Sequence, residues 1–221
     1  MALFPHLFIA LTNNVWHWAK KVNPFVNIVT ISNGVDTSSF RPLKSTIKTK
    51  LEKPIYLGVG SISKQKNWGS LIQAVSRLKR GSVLLIGRGP DENFIDTKGF
   101  NLLGLNRYQR IPKVPHSQLV NYYNLCQVFS MPSDHSEGQG IVYLEAMACN
   151  KPIVATSDPQ RAATIQNGGI LIDPEDVDKY TKTLYYASAY NWGNTPRKVA
   201  LQTSWDKVVL QFVKTVNKII S

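Results

Sequence analysis

The chain has 221 residues, of which 26 are basic and 14 acidic, giving a formal net charge of +12. With 43% apolar residues it contains enough apolar side chains for a packed core, and no apolar run reaches the ~20 residues of a membrane span. The basic residues are scattered and accompany no nucleic-acid-binding signature, so we expect phosphorylated small molecules or an anionic membrane surface as partners, and no nucleic acid. Cys126 and Cys149 lack metal or redox spacing and are predicted to be buried thiols.

Residues 1–43 are predicted to be an N-terminal appendage with a hinge-like segment. Trp16 and Trp18 lie on one face of a predicted helix, which Pro24 ends. A strand is predicted over residues 28–31, and the turn signal Asn33-Gly34 follows it. A basic, polar connection at residues 44–53 then leads into one Rossmann-like domain, predicted to span residues 44–221.

Strand-like apolar runs alternate with helix-like segments through this domain. Strands are predicted at residues 55–59, 82–86, 102–104, 127–131, 152–155 and 169–172, and residues 106–110 are predicted to be irregular. Helices are predicted at residues 68–78, 117–125, 140–149 and 179–189, with a long amphipathic helix beginning near residue 203. This alternation predicts an α/β fold, a parallel sheet with helices on both faces.

Basic residues follow the first two strands of the domain, at the end where open α/β sheets bind ligands. Lys64 and Lys66 lie in the loop after the first strand, and Arg88 lies in the Gly-x-Gly turn after the second. One interpretation is that these three residues are ordinary solvated surface side chains. The alternative is that Lys66, helped by Lys64 or Arg88, binds a diphosphate.

The stretch from residue 133 to residue 156 carries the most specific pattern. Gly138 and Gly140 open a helix, where free N–H groups and the helix dipole favour a phosphate. Glu137 and Glu145 would be about 12 Å apart if all the residues between them were helical. A glycosidase pair needs roughly 5–9.5 Å, so the spacing favours a long ligand over a hydrolase dyad.

The segments Glu137-Gly138-x-Gly140, Glu145-Ala146-Met147-Ala148 and Lys151-Pro152-Ile153-Val154-Ala155 together resemble the Glu-x7-Glu signature of retaining glycosyltransferase family 4, whose members have the two-domain GT-B fold. The resemblance implies a single GT-B-type donor-binding domain. It implies that Glu137 is the catalytic residue at the donor sugar and that Glu145 binds the ribose. It also implies that the sugar and diphosphate face the turn formed by Gly138, Gln139, Gly140 and Ile141.

Two loops depart from the family pattern. Ser61 occupies the phosphate-loop position where the family has an arginine, whereas Lys66 matches the family lysine. The loss of one of two charges is expected to weaken diphosphate binding. Gln139 stands where the family usually has an aromatic or small residue, so the identity of the donor sugar is not predicted. The resemblance implies that Lys113 and Val114 belong to the loop that lines the nucleotide base.

The segment from Asn33 to Pro42 resembles the family hinge between acceptor and donor domains. Only about 30 residues precede it, so we expect most of an acceptor domain to be missing from this chain. We expect hexose transfer from a nucleoside-diphosphate sugar with retention of configuration, without a metal or other cofactor. The alternative is a non-catalytic nucleotide-sugar-binding or interaction module that needs a partner chain.

The expected partners beyond the donor are a lipid-phosphate or glycan acceptor, and a second copy or a separate acceptor-domain protein. The expected location is the cytoplasm, and the alternative is peripheral contact with the inner face of the membrane. NAD binding is not expected, because no Gly-x-Gly-x-x-Gly follows the first strand of the domain.

Overall fold

A computed structural model describes residues 7–134 and 140–220, the side chains of residues 219 and 220 excepted. Its main sheet has six strands in the order β5-β4-β3-β6-β7-β8, and every neighbouring pair is parallel. The strands are β3 (Ile55–Val59), β4 (Ser82–Ile86), β5 (Tyr108–Ile111), β6 (Val128–Met131), β7 (Ile153–Thr156) and β8 (Gly169–Ile172). The predicted parallel α/β sheet is therefore confirmed.

A small unit precedes this sheet. Strands β1 (Phe8–Ala10) and β2 (Ile28–Thr30) pair in parallel, and helix α1 (Asn13–Val22) connects them. The Thr12 side chain caps α1 by accepting a hydrogen bond from the backbone N–H of Val15. The helix and the second strand agree with the sequence prediction, whereas the three-residue strand β1 was not predicted.

The helices of the domain form two groups. They are α2 (Trp68–Ser76), α3 (Glu92–Leu103), α4 (Leu119–Leu125), α5 (Ile141–Ala148), α6 (Pro159–Ile165), α7 (Val177–Ala189), α8 (Thr195–Ala200) and α9 (Trp205–Ile220). Helix α2 packs against α3 and α7, while α5 packs against α4, α6 and α8. Because right-handed crossovers run one way from β3 to β5 and the other way from β6 to β8, the two groups cover opposite faces of the sheet.

The core lies between the sheet and these helices. All five residues of β3 and all five of β4 are buried, as expected for central strands covered on both faces. Cys126 and Cys149 are free and buried, and burial raises the pKa of each thiol to about 12. The prediction of buried thiols is confirmed.

One part of the secondary-structure prediction is wrong. Residues 102–104 are not a strand, because Leu102 and Leu103 end helix α3, and the strand β5 lies in the segment predicted to be irregular. Position 99 of α3 requires glycine, because a Cβ there would lie 2.5 Å from the Tyr108 ring, and this glycine interrupts the apolar pattern of the helix. Arg110, on β5, pairs with Asp96 of α3 at 2.7 Å and so fixes the strand against the helix.

The hinge-like segment packs onto the domain. Val35 pairs with Ser204 in a parallel bridge, and the backbone N–H of Trp205 donates to the Val35 carbonyl. The Arg197 guanidinium contacts the carbonyls of Phe40 and of Ala148, at the end of α5. Val35 and Phe40 belong to the main core, while the proposed boundary between residues 43 and 44 stays a prediction.

Candidate functional site

The order in which strands are added to the sheet reverses between β3 and β6, which are neighbours although they are far apart in the chain. From their carboxyl ends the chain turns to opposite faces of the sheet, which leaves a crevice between the two loops. One loop covers residues 60–67 and the other begins at residue 132. The backbone N–H of Asp134 donates to the Gln65 carbonyl at 2.9 Å, so the two loops meet there.

The loop after β3 is held from below by Trp68. This ring is buried, and its indole N–H donates to the Ser61 carbonyl at 2.9 Å. The Ser61 side chain is exposed, and its hydroxyl lies 3.1 Å from that of Ser63. Lys64 is exposed, whereas Lys66 is half-buried and its stem lies over Gly60 at the end of the strand. The positive charge of this loop therefore comes from its two lysines.

The Gly-x-Gly turn after β4 has a clear packing role. A Cβ on Gly87 would lie 1.8 Å from the Gly60 carbonyl oxygen, and one on Gly89 would lie 2.2 Å from the Ile62 carbonyl oxygen. Only glycine permits this approach. The Arg88 carbonyl accepts from the Ile62 N–H at 2.8 Å, and its side chain is exposed beside the lysine loop. The structure thus brings Arg88, Lys64 and Lys66 to adjacent loops.

Helix α5 begins beside these loops. Gly140 precedes its first residue with a left-handed backbone (φ 62°), and within the described residues no side chain caps the helix. The first turn contains no acidic residue. Ile141 is exposed at 42%. The first-turn N–H groups and the positive end of the helix dipole therefore form a region that favours an anion.

Glu145, one turn further along α5, is only 3% exposed. Its Oε2 accepts from the Tyr123 hydroxyl and its Oε1 lies against His116 Nε2, both at 2.7 Å. Burial, together with the neighbouring carboxylate, raises the pKa of the Tyr123 hydroxyl well above its ordinary value. Because Tyr123 is fully buried and the His116 side chain is 71% exposed, the carboxylate lies between the core and solvent.

Phe40 of the hinge-like segment completes this cluster. Its ring packs edge-on against His116 and Tyr123, with centroid separations of 5.2 and 5.9 Å. The sequence interpretation did not connect Tyr123 or His116 with Glu145. No spacing rule links these three residues, since α4 and α5 meet only in the folded chain.

Arg161 is a second buried group that the sequence interpretation missed. It is 2% exposed and forms an ion pair with Asp158, the N-cap of α6. Its Nη2 donates to the Ser133 hydroxyl at 2.6 Å and to the Asp134 carbonyl at 2.7 Å, and its Nε donates to the Tyr143 hydroxyl at 3.2 Å. Arg161 therefore ties the chain leaving β6 to helix α5.

Three predicted site residues, Glu137, Gly138 and Gln139, lie outside the described residues. In the loop before α4, Lys113 is exposed and Val114 packs against the core. His116, two residues beyond Val114, carries this loop to Glu145. The predicted roles of these residues, and of Ser61, stay predictions.

No group of three or more His, Cys, Asp or Glu side chains in the described part of the chain is arranged to hold a metal ion. Residues 7–134 and 140–220 also include no helix that is long and apolar enough to cross a lipid bilayer.

Comparison with known families decides the classification. The family described as glycosyl transferases group 1 matches residues 40–192, which is more than half of the chain. The chain belongs to this glycosyltransferase family. The family resemblance predicted from the Glu-x7-Glu block is confirmed, and the matched residues include the loop after β3, Glu145 and Arg161.

Curated relatives of this glycosyltransferase chain are themselves named glycosyltransferases. It is 29% identical over 178 residues to the D-inositol 3-phosphate glycosyltransferase of Thermobifida fusca, covering 72% of this chain and 41% of the relative. It is 26% identical over 182 residues to a GDP-mannose-dependent α-(1-6)-phosphatidylinositol monomannoside mannosyltransferase of Mycolicibacterium smegmatis, covering 74% and 48%. The chain thus spans less than half the length of these two relatives.

Solved structures agree on the fold. The sucrose-phosphate synthase of Thermosynechococcus elongatus aligns with a TM-score of 0.82 at 21% identity, over 97% of this chain and 58% of that one. The Anabaena protein HepE, solved with UDP and glucose, aligns with a TM-score of 0.75 at 18% identity, over 97% and 64%. These likenesses confirm the Rossmann-like, GT-B-type architecture of the chain.

Proposed function

We propose that this chain binds a nucleoside-diphosphate hexose and supports transfer of the hexose with retention of configuration. The observation that carries the proposal is the Glu145 carboxylate, buried yet held at the solvent boundary by Tyr123 and His116. A carboxylate has about four lone-pair sites, and these two donors use two of them. The remaining sites suit a pair of vicinal hydroxyls such as those of a ribose.

Diphosphate recognition is assigned to the adjacent loops. Lys66, with Lys64 and Arg88, supplies positive charge, and the first-turn N–H groups of α5 supply donors. Such groups stabilise a leaving diphosphate because they are aimed where its charge develops. In this proposal no metal ion is required. Gly138, Gln139, Gly140 and Ile141 are proposed to bind the donor sugar and diphosphate.

Glu137 is proposed as the catalytic residue at the donor sugar, and Lys113 and Val114 as the lining of the base. The relative from Mycolicibacterium smegmatis is named as GDP-mannose-dependent, and the Anabaena structure was solved with UDP. They support a nucleoside-diphosphate donor and leave the base open for this chain. The +12 charge supports peripheral contact with an anionic membrane face, where a lipid-phosphate acceptor would be presented.

A second candidate function is a binding module that transfers nothing by itself. The exposed, uncharged Ser61 favours it, because that position of the phosphate loop contributes no charge to a diphosphate. Transfer also requires an acceptor oxygen about 3–3.5 Å from the anomeric carbon, and positioning of this kind is worth ~7–11 kcal/mol. The wall that holds the acceptor is proposed to come from an acceptor-binding domain, a second copy or another chain.

Isothermal titration with UDP, GDP and ADP tests the donor site, and a labelled-sugar assay with lipid-phosphate and glycan acceptors tests transfer. We expect micromolar binding of one nucleotide and slow transfer by the isolated chain. Nucleotide binding without transfer, even when candidate acceptor-domain proteins are added, would favour the binding module. The absence of any nucleotide binding would overturn both candidates.

A further inference from the structure

The outer face of helix α3 and of the turn after it carries four exposed apolar side chains, which are those of Phe94, Phe100, Leu102 and Leu105. Phe94 is 66% exposed, and Leu105, in the turn, is 81% exposed. Phe94 and Leu102 lie on one face of the helix, and together they line a shallow groove. Single exposed apolar residues are ordinary on a protein surface, whereas a contiguous group of them marks a contact with a protein or a membrane.

Lysine side chains lie at both ends of this apolar group. Lys64 and Lys98 line a hollow at the start of α3. Lys48 and Lys50 line another hollow at its end, beside the edge strand β5. Among the described residues that line the groove and the two hollows, the single carboxylate is that of Asp91. These four apolar and four basic side chains form the α3 face, which is both apolar and cationic.

The acidic residues of α3 itself add little negative charge to this face. Glu92 and Asp96 both pair with the Arg110 guanidinium of β5, at 3.1 and 2.7 Å. Asp96 also accepts a hydrogen bond from the Tyr108 hydroxyl at 2.8 Å. Glu92 also accepts a hydrogen bond from the Gly89 backbone N–H at 2.8 Å. Because both carboxylates are held on the side towards β5 and Arg110 offsets part of their charge, the α3 face carries more positive than negative charge.

We propose that the α3 face rests on an anionic lipid bilayer. Its chemistry matches that partner, because apolar side chains can reach below the lipid head groups while lysines meet their phosphates. The inference rests on the proposed function, which places a lipid-phosphate acceptor at a membrane, and it names the surface that makes the contact. That surface lies wholly within the Rossmann-like domain, so this chain should bind bilayers without an acceptor domain.

This orientation brings the candidate donor site to the membrane surface. Lys64 lines the hollow at the start of α3 and also belongs to the loop, residues 60–67, that borders the crevice. A helix with its side chains is about 10–12 Å across, so α3 separates the sheet from the head groups by roughly that distance. The crevice then opens beside the lipid phosphates, within reach of an acceptor that stays in the bilayer.

Co-sedimentation of the full chain with vesicles tests the proposal, using phosphatidylcholine vesicles and vesicles that also contain phosphatidylglycerol. We expect binding to the anionic vesicles only, and release as salt is added. Leu105→Ser should weaken binding at least tenfold, because a buried leucine side chain is lost from the bilayer. Lys48→Gln should weaken it about fivefold, as for one basic residue at an anionic surface. Val22→Ser and Lys21→Gln, exposed on α1, are the matched controls and should change binding less than twofold.

A fluorophore gives a second readout of the same contact. Because Cys126 and Cys149 are buried, a cysteine introduced as Leu105→Cys can be labelled selectively. An environment-sensitive dye at that position should brighten when anionic vesicles are added. The same dye attached through Val22→Cys should stay unchanged, and brightening at both positions alike would contradict the assignment to α3.

Three outcomes of the vesicle experiment would overturn the proposal: no binding to anionic vesicles, equal binding to both vesicle types, or equal losses in the α1 controls. Self-association that Leu105→Ser abolishes, seen by light scattering without vesicle binding, would show that the α3 face contacts protein instead. Leu105→Ser should leave nucleotide affinity and the midpoint of thermal unfolding unchanged, because the side chain is exposed. Nucleotide binding without vesicle binding defeats this inference alone, whereas vesicle binding without nucleotide binding defeats the proposed donor site.

Discussion

The two sides of the crevice are built differently. On the α5–α6 side the charged groups are buried and hydrogen-bonded, with Glu145 at 3% and Arg161 at 2% exposure. On the side of the β3 and β4 loops, Lys64 and Arg88 are exposed cations on short, tightly packed loops. The first side is therefore fixed before any ligand arrives, whereas the second offers charge whose side chains can adapt to an anion. A ligand with a rigid end and a flexible anionic end matches this division.

Arg161→Met is expected to have the largest effect. Removing one partner of a buried, hydrogen-bonded ion pair should lower the free energy of unfolding by about 3–5 kcal/mol, because Asp158 then loses its countercharge. Urea denaturation measures the loss. Arg77→Met is the matched control, since the Arg77–Asp178 pair is mostly exposed and should be worth about 0–1 kcal/mol. Similar small losses in both variants would show that Arg161 does not fix the α5–α6 side.

Glu145→Gln comes next and tests the ligand role of the buried side. It keeps the shape of the side chain but removes the charge, so nucleoside-diphosphate affinity should fall by about 1.5–3 kcal/mol. Calorimetry on this variant and on the exposed control Glu175→Gln measures the difference. Unchanged affinity would remove Glu145 from the binding site. Glu145→Ala should lose the same affinity and some stability as well, because the Tyr123 hydroxyl is left unpaired.

The sequence predicted the exposed side of the crevice better than the buried side. Three strands, Ile55–Val59, Ser82–Ile86 and Gly169–Ile172, were predicted to the residue, and the loops that follow the first two were placed by the rule for strand ends. The contacts of Glu145 with Tyr123 and His116 could not be predicted, because these residues lie 22 and 29 positions away from it in the chain. Long-range pairings of this kind leave no local periodicity.

Arg161 and strand β5 show two further reasons for misses. An arginine in a polar helix start is normally solvated, and nothing near it in the sequence indicates that Ser133 and Asp134 will surround it. Strand β5 is an edge strand with polar Gln109 and Arg110 on it, so its apolar pattern is weak. In both cases tertiary packing decided what local preference left open.

Lys66→Ala tests the adaptable side. A charge facing phosphate in a well-solvated loop contributes on the order of 1 kcal/mol, so affinity for the nucleoside diphosphate should fall by about that amount. Affinity for the plain nucleoside should stay constant, and the difference should shrink as salt is added. Titration of both ligands at two ionic strengths measures it. Equal losses for nucleoside and diphosphate would mean that the lysine acts on folding alone.

Ser61→Arg should have the smallest effect, and it should be a gain. The position is exposed beside the lysine loop, so a guanidinium there should raise diphosphate affinity by up to about 1 kcal/mol without altering nucleoside affinity. Competition titration against the unmodified chain has the required sensitivity. A loss of affinity would indicate that this loop accommodates its ligand by space rather than by charge.

The close approach of Gly87 and Gly89 to the loop after β3 has a consequence for engineering. A carbonyl of the loop after β3 occupies the space where the Cβ of each glycine position would lie. The two loops are therefore packed directly together and cannot be redesigned separately. A β3 loop transplanted from a relative would have to bring its partner turn with it. Under the proposed function, the two loops together would set donor preference.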